Sequence, residues 1–207
     1  MAAETGKLKN EDRLFREALV EFAARSYETA SINEILKRAA VSKGSFYHHF
    51  EDKLHLYLEV LDRVSSIQAE FAQQRFQEIR PVGRLDFFIL LKVQGRLILD
   101  FADAYPLEAA FLRNVRSEPS TLQENIAKRY SIEGIEYYSH MIEQAIARGE
   151  LRKDVPIEVM GRLINHVMIN LQDFALPKSN FLGMRDEASI TAQLDYLLSL
   201  LRSGMRR

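Results

Sequence analysis

Five prolines, at positions 81, 106, 119, 156 and 177, constrain this chain more than any other feature. Each lies at a break in a pattern whose apolar residues recur three and four positions apart. That spacing puts side chains on one face of a helix, whereas a half-buried strand needs strict alternation. The pattern therefore predicts an all-α fold of about nine helices. A first helix over Glu11–Ser26 stacks Leu14, Phe15, Ala18, Leu19 and Phe22. Two short helices follow within residues 31–50. A fourth, from about Asp52 to Ile79, carries Leu54, Leu58, Leu61 and Val64. Phe87–Ala104 is apolar on nearly all sides, so a buried central helix is expected there. Next come a short helix over Leu107–Arg116 and a long one from Pro119 to Arg148, stopped by Gly149. Two helices close the chain. One starts at Pro156 and ends before Pro177; the other carries Ile190, Leu194, Leu197, Leu198 and Leu201.

At 207 residues the chain has room for two domains, and 47% hydrophobic with 28% charged residues is the balance of a globular protein. The natural boundary separates a small N-terminal domain, residues 1–52, from a larger helical bundle, residues 53–207. With no cysteine, neither a disulfide framework nor a thiolate metal site is possible. The N-terminal residues lack the apolar core of a signal peptide. No apolar run approaches the ~18 residues of a membrane span; the densest, Phe87–Val93, is broken by Lys92. A soluble cytoplasmic protein with no membrane partner is expected.

Chemistry concentrates in residues 31–53, SINEILKRAAVSKGSFYHHFEDK. Ser31 with Glu34 reads as a capping box, the hydroxyl taking a backbone N–H and the carboxylate reaching back. Ile32, Ile35, Leu36 and Ala39 form the inner face of the short helix that follows. Ser42 caps a second short helix, and two helices joined by so tight a turn make a helix-turn-helix. The second helix of such a motif enters the DNA major groove by its N-terminal part. Lys43 supplies a cation there, and Gly44 has no side chain to hold the helix off the duplex. Ser45 and His48 can donate to phosphates or base edges, and Tyr47 offers a hydroxyl on a rigid arm. His49 is expected to share packing and phosphate contact. Phe46 and Phe50 point inward as anchors. Asp52 caps the fourth helix, which places Lys53 in its first turn, a favourable phosphate seat.

These residues resemble the DNA-binding domain of the tetracycline-repressor (TetR) family. Its typical run is T-x-x-x-I-A-x-x-A-G-V-S-K-G-T-x-Y-x-H-F-x-x-K-x-x-L. Ser31, Ile35, Ala39, Val41, Ser42, Lys43, Gly44, Ser45, Tyr47, His49, Phe50 and Lys53 stand at corresponding places. GELRKDVPIEVMGRLI (149–164) is similar to the usual lead-in to the family's dimer helices. The resemblance implies a nine-helix protein whose last two helices, about 156–176 and 186–203 here, form a four-helix bundle with a second copy. It also implies a largely apolar small-molecule effector bound in the larger domain, and repression as the sign of action. Three departures stand out. Ser26 and Ala40 replace usual glycines, and Leu54 and His55 follow Lys53 where acidic residues are common. A left-handed Ala40 costs about 1–2 kcal/mol.

Phe88, Phe101, Phe111, Tyr130, Tyr137, His166 and Phe174 are candidates to line an effector pocket, although core packing is the favoured reading of any one aromatic. His166, with Asn165, Asn170 and Gln172, fits pocket, dimer interface or surface. His48, His49 and His55 do not form a metal site, because adjacent histidines on a helix diverge by about 100°. No nucleophile–base pair, Walker-type loop or H-E-x-x-H run is present, so neither an enzyme nor a cofactor is expected. The expected function is dimeric, sequence-specific binding to a palindromic double-stranded operator, with release by the effector. The competing expectation is a sensor or scaffold of the same fold that acts through a protein partner. It draws on the charge balance of residues 1–53, where Lys and Arg equal Asp and Glu in number.

Overall fold

A computed structural model describes residues 10–78, 86–130, 134–171 and 187–206. These residues form ten helices: α1 (Glu11–Ala24), α2 (Ile32–Ala39), α3 (Lys43–His49), α4 (Lys53–Glu78), α5 (Phe87–Ala104), α6 (Pro106–Ser117), α7 (Ser120–Tyr130), α8 (Gly134–Ala147), α9 (Ile157–Ile169) and α10 (Glu187–Met205). The fold is all-α. The expected Pro119–Arg148 helix is described as α7 and α8, with residues 131–133 between them outside the described residues. No described helix is long and apolar enough to cross a membrane.

By packing, the chain divides into two compact units. One comprises residues 1–71 and 105–127, the other residues 72–104 and 128–207. In the first, α1 packs against both α2 and α6. Leu14, Phe15, Ala18 and Phe22 form the buried stripe of α1, facing Ile35, Leu36 and Ala39 of α2 and Phe111 and Leu112 of α6 among others. Phe22, Tyr57 and Phe111 meet as an aromatic cluster, with centroid separations of 4.9 Å for Phe22–Tyr57 and 5.3 Å for Tyr57–Phe111.

In the second unit α5 packs against α8 and α10, and α8 against α9. Gly95 makes the α5–α10 approach possible: a Cβ there would sit 2.8 Å from Leu194 Cδ1. The N-terminus of α5 is capped by Glu150, whose Oε2 accepts from Phe87 N at 2.9 Å. Gly149, at φ 75°, ends α8, with Glu150 N on Ala145 O and Gly149 N on Ile146 O at 2.9 Å each. That is the paired C-terminal closure in which glycine is preferred.

Ala40 ends α2 in the left-handed region, at φ 54° and ψ 43°. Its N–H still closes the helix onto Leu36 and Lys37 carbonyls, so the turn is kept at the expense of a Cβ clash. Ser26 has no such burden. Among the described non-glycine residues only Asn10 and Ala40 have positive φ, so α1 ends here without the conformation that favours glycine. Ala40→Gly should relieve about 1–2 kcal/mol of strain while adding about 0.4–1 kcal/mol of unfolded-chain entropy. The expected gain is just under ~1 kcal/mol, a rise of roughly 2–4 °C in Tm by thermal denaturation. An unchanged or lower Tm would show that the alanine is not strained.

Candidate nucleic-acid interface

Two serines set the frame of the helix-turn-helix. Ser31 Oγ accepts from Glu34 N at 3.4 Å and Ser42 Oγ from Ser45 N at 3.1 Å, each capping a short helix. Both hydroxyls serve as acceptors, so their protons remain available to a phosphate oxygen. The expected capping box is only half made. The Ser31 N–H goes to Glu21 Oε1 of α1 at 3.1 Å rather than to Glu34. A buried carboxylate already held beside that amide outcompetes an exposed glutamate that would have to be ordered.

The turn presents α3 with one face in and one face out. Phe46 is fully buried and stacks on Phe50, with centroids 5.2 Å apart at 15°, and Phe50 meets Phe15 edge-on at 6.0 Å. Opposite them Ser42, Lys43, Gly44, Tyr47 and His48 are exposed and Ser45 half-buried, with Tyr47 at 59% exposure despite its ring. Lys43 has no partner among the described residues. A Cβ on Gly44 would meet nothing within 4 Å, so the protein's own packing does not require glycine there. His49 is half-buried, its Nδ1 2.9 Å from Ser45 O. Because a carbonyl only accepts, Nδ1 carries the proton; a neutral ring then leaves Nε2 as an acceptor, and only the imidazolium can donate to phosphate.

Lys53 begins α4 behind the Asp52 cap, whose Oδ1 accepts from His55 N at 2.8 Å. Its ammonium is committed to the α1–α2 loop. Nζ donates to Glu28 O at 3.3 Å and Ala30 O at 3.1 Å, and lies 4.6 Å from the centre of the Tyr27 ring. Lys53 is thus a strut of the loop.

Sequence reasoning missed the residues that hold this loop. Glu21 is buried at 4% exposure and joins α1 to α2 through Arg38, whose Nη2 donates to Oε2 at 2.8 Å. Arg38 Nε also donates to Glu17 Oε2 at 3.0 Å. Burial pushes the Glu21 carboxyl up. Hydrogen bonds from Arg38 and Ser31, with the charges of Arg38 and Arg25, outweigh that and hold it below its ordinary value. From α6, Asn114 Nδ2 donates to Phe22 O at 3.1 Å and Ala23 O at 2.9 Å, while Glu118 Oε1, just past the end of that helix, accepts from Tyr27 N at 2.7 Å. The signals were present: Glu21 interrupts the apolar stripe of α1, and Asn114 and Glu118 share a face with Phe111.

The aromatics named as pocket candidates are divided between the two units. Phe111 lies in the first unit's core. In the second, Phe88 and Phe101 are buried, whereas Tyr137 is half-exposed and its hydroxyl is hydrogen-bonded to Gln94 Nε2. Phe88 also borders an open cleft of about 270 Å³ with Lys92, Asp195 and Arg202. His166 is exposed, and its carbonyl accepts from Asn170 Nδ2 at 2.8 Å. The Tyr130 side chain and Phe174 lie outside the described residues.

A small helical head that seats an aromatic-anchored second helix beneath a polar, unobstructed face defines a helix-turn-helix protein of the DNA-binding type. Residues 14–60 match the family model of bacterial regulatory proteins, tetR family. The chain matches that model over its helix-turn-helix head, less than half of the 207 residues. It is 32% identical over 84 residues to transcriptional regulator AcuR of Cereibacter sphaeroides, a match covering 40% of this chain and 38% of that one. The first three curated relatives are matched over only 38%, 19% and 22% of their own lengths. The HTH-type transcriptional repressor AcnR of Corynebacterium glutamicum is 22% identical over 193 residues, covering 90% of this chain and 87% of that one. The fold is that of a solved TetR family transcriptional regulator from Chloroflexus aurantiacus J-10-FL, with TM-score 0.74, 23% identity and 96% and 94% coverage of the two chains.

Proposed function

We propose that this chain represses transcription in the bacterial cytoplasm by binding a palindromic operator as a homodimer and leaves it when a small, largely apolar effector binds. The observation that carries the reading is the exposed, sterically open face of α3, Lys43–Gly44–Tyr47–His48, over the Phe46–Phe50 anchor. In this reading residues 1–52, with Lys53 at the start of α4, contact DNA, and the rest of residues 53–207 bind the effector and dimerise. Ser31, Ser42, Tyr47, His49 and Lys53 set affinity through phosphates, and Lys43, Ser45 and His48 read base edges across the gap that Gly44 leaves.

An apolar seam supports dimerisation. Val159 and Leu163 of α9, and Tyr196 and Leu200 of α10, are large apolar side chains left in solvent. Val159, Leu163 and Leu200 border a cleft of about 150 Å³ between these helices, together with Val155, Met160 and Leu201. A second copy of the same two helices would cover that seam with a matching one. The effector acts only through its different affinity for the DNA-bound and free states.

Binding-site selection from random duplexes, followed by fluorescence anisotropy at two salt concentrations, tests the reading. Enrichment of a palindrome, lost in the Tyr47→Ala/Lys53→Ala double variant, is the expected result. A folded dimer that enriches nothing at low salt would sink it and favour the sensor or scaffold, the reading that the neutral charge balance of residues 1–53 supports. Lys53→Ala alone should weaken every duplex by a similar factor, because both its phosphate contact and its grip on the loop are indifferent to sequence. A loss confined to one base position, measured across single-substitution operators, would contradict that role.

A further inference from the structure

An open cleft of about 270 Å³ lies between α5 and α10 of the second unit. Phe88 and Leu198 are buried and form its apolar wall, and Ile89, 37% exposed, stands at its rim. Helical spacing brings the polar residues to the same side. Lys92 follows Phe88 by one turn on α5, and Asp195, Ser199 and Arg202 succeed one another four and three positions apart on α10. Asp195 and Ser199 are each turned about 100° from the seam residue that follows, Tyr196 or Leu200. The cleft and the apolar seam thus lie on different sides of α10.

The cleft carries donors with nothing to donate to. The Arg202 guanidinium lies 4.9 Å over the Phe88 ring, which sets it against the apolar wall. The carboxylate facing it, Asp86, has its Oδ2 3.8 Å away, beyond hydrogen-bonding distance, while Oδ1 accepts from Ile89 N at 2.8 Å. Neither the side-chain N–H groups of Arg202 nor the Ser199 hydroxyl has a hydrogen-bond partner among the described residues. Lys92 differs: its Nζ is 2.5 Å from Asp195 Oδ1, so one cation of the cleft is tightly paired and the other loosely.

An acceptor is what these groups lack. A carboxylate matches the guanidinium fork with two parallel bonds, and Ser199, one turn before Arg202, can donate to the same group. A hydrocarbon body attached to it would cover Phe88, Leu198 and Ile89. The carboxylates of Asp86 and Asp195 stand beside the site and disfavour a second negative charge, so a single carboxylate fits better than a phosphate dianion. The volume falls just below the roughly 300–1,000 Å³ of ordinary ligand pockets, which suits a compact molecule rather than a nucleotide or a long acyl chain. We propose that this cleft binds a small apolar monocarboxylate, an aromatic acid, with its carboxylate on Arg202 and Ser199 and its ring against Phe88, Ile89 and Leu198. The site does not rest on operator binding.

The test uses the full-length protein without DNA and isothermal titration calorimetry, with 2-naphthoate as the probe and its neutral amide as the reference. The acid should bind about tenfold tighter than the amide or more, the discrimination that a charge-assisted hydrogen bond supplies. Arg202→Gln should bring the two within about twofold of each other. At 43% exposure, Arg202 is not needed for folding, which circular dichroism checks. Lys153→Gln removes an exposed cation outside the cleft and should leave the preference intact. Ser199→Phe, which fills the cleft from an exposed position, should abolish binding of both probes. No acid binding by about 1 mM, equal binding of acid and amide, or a preference that survives Arg202→Gln overturns the proposal. So does a preference that Lys153→Gln also removes, which makes it bulk charge, or undiminished binding to Ser199→Phe, which puts the probe elsewhere. Operator binding is read separately in anisotropy and can fail without altering this result.

Discussion

Leu163→Glu combined with Leu200→Glu is expected to leave a folded monomer whose operator affinity is at least ~100-fold weaker. Leu200 is largely exposed, at 73%, and Leu163 about half exposed, at 47%, so neither is a core residue of its own chain. Between two copies each leucine would bury apolar surface worth about 1.5–3 kcal/mol, and each occurs twice in a symmetric interface. Glutamate removes that gain and brings like charges together where water is excluded. Loss of the dimer turns two linked half-site contacts into independent ones, and linkage of this kind contributes about 10²–10⁴ in affinity. Sedimentation velocity and anisotropy read the two consequences separately, with circular dichroism confirming that the helices remain. A variant that still sediments as a dimer would place the interface elsewhere.

The second large effect belongs to the buried carboxylate of the head. Arg38→Leu is expected to cost about 2–3 kcal/mol in urea unfolding, because it strands Glu21 in the protein interior. The value sits below the usual range for a broken buried pair for two reasons. Arg38 is itself 36% exposed, and Glu21 keeps the Ser31 N–H and the neighbouring Arg25. Replacing both partners by leucine should recover part of the loss. A cost under ~0.5 kcal/mol for Arg38→Leu would mean that water already screens the pair. The same site gives acid sensitivity. Glu21 titrates lower in the folded chain than its ordinary value of 4.5. Its stabilisation is therefore complete above that value and fades as the pH falls through it towards the folded value. Arg38→Leu should flatten the decline of stability over that acidic range.

Much of the head was legible in the sequence because its determinants are local. Ser42 three residues before Ser45, and Asp52 three before His55, fix caps from neighbouring atoms alone. Phe46 and Phe50 stand four residues apart, so helical spacing alone puts both on the buried face. The helix boundaries of α5 and α6 were equally readable from prolines and apolar spacing. What was hidden depends on distant partners. Nothing near Ser31 says that Glu21 will claim its amide before Glu34 does, or that Lys53 will reach back 25 and 23 residues to two loop carbonyls. A buried glutamate is stable only once Arg38 is placed beside it, which requires the packing of α1 on α2. The effector pocket is the extreme case: aromatic residues can be counted in a sequence, but whether they fill a core or border a cavity depends on several helices at once.

The placement of α6 against α1 also orders events during synthesis. The carbonyls of Phe22 and Ala23, and the apolar side of Phe22, are covered by residues that leave the ribosome some ninety positions later. At roughly 5–20 residues per second, the helix-turn-helix exists for several seconds before its last support arrives. A chain truncated before Pro106, or a hybrid that grafts only residues 1–52 onto another protein, would carry that uncovered surface permanently. Transplanting the reading head therefore requires α6 to travel with it.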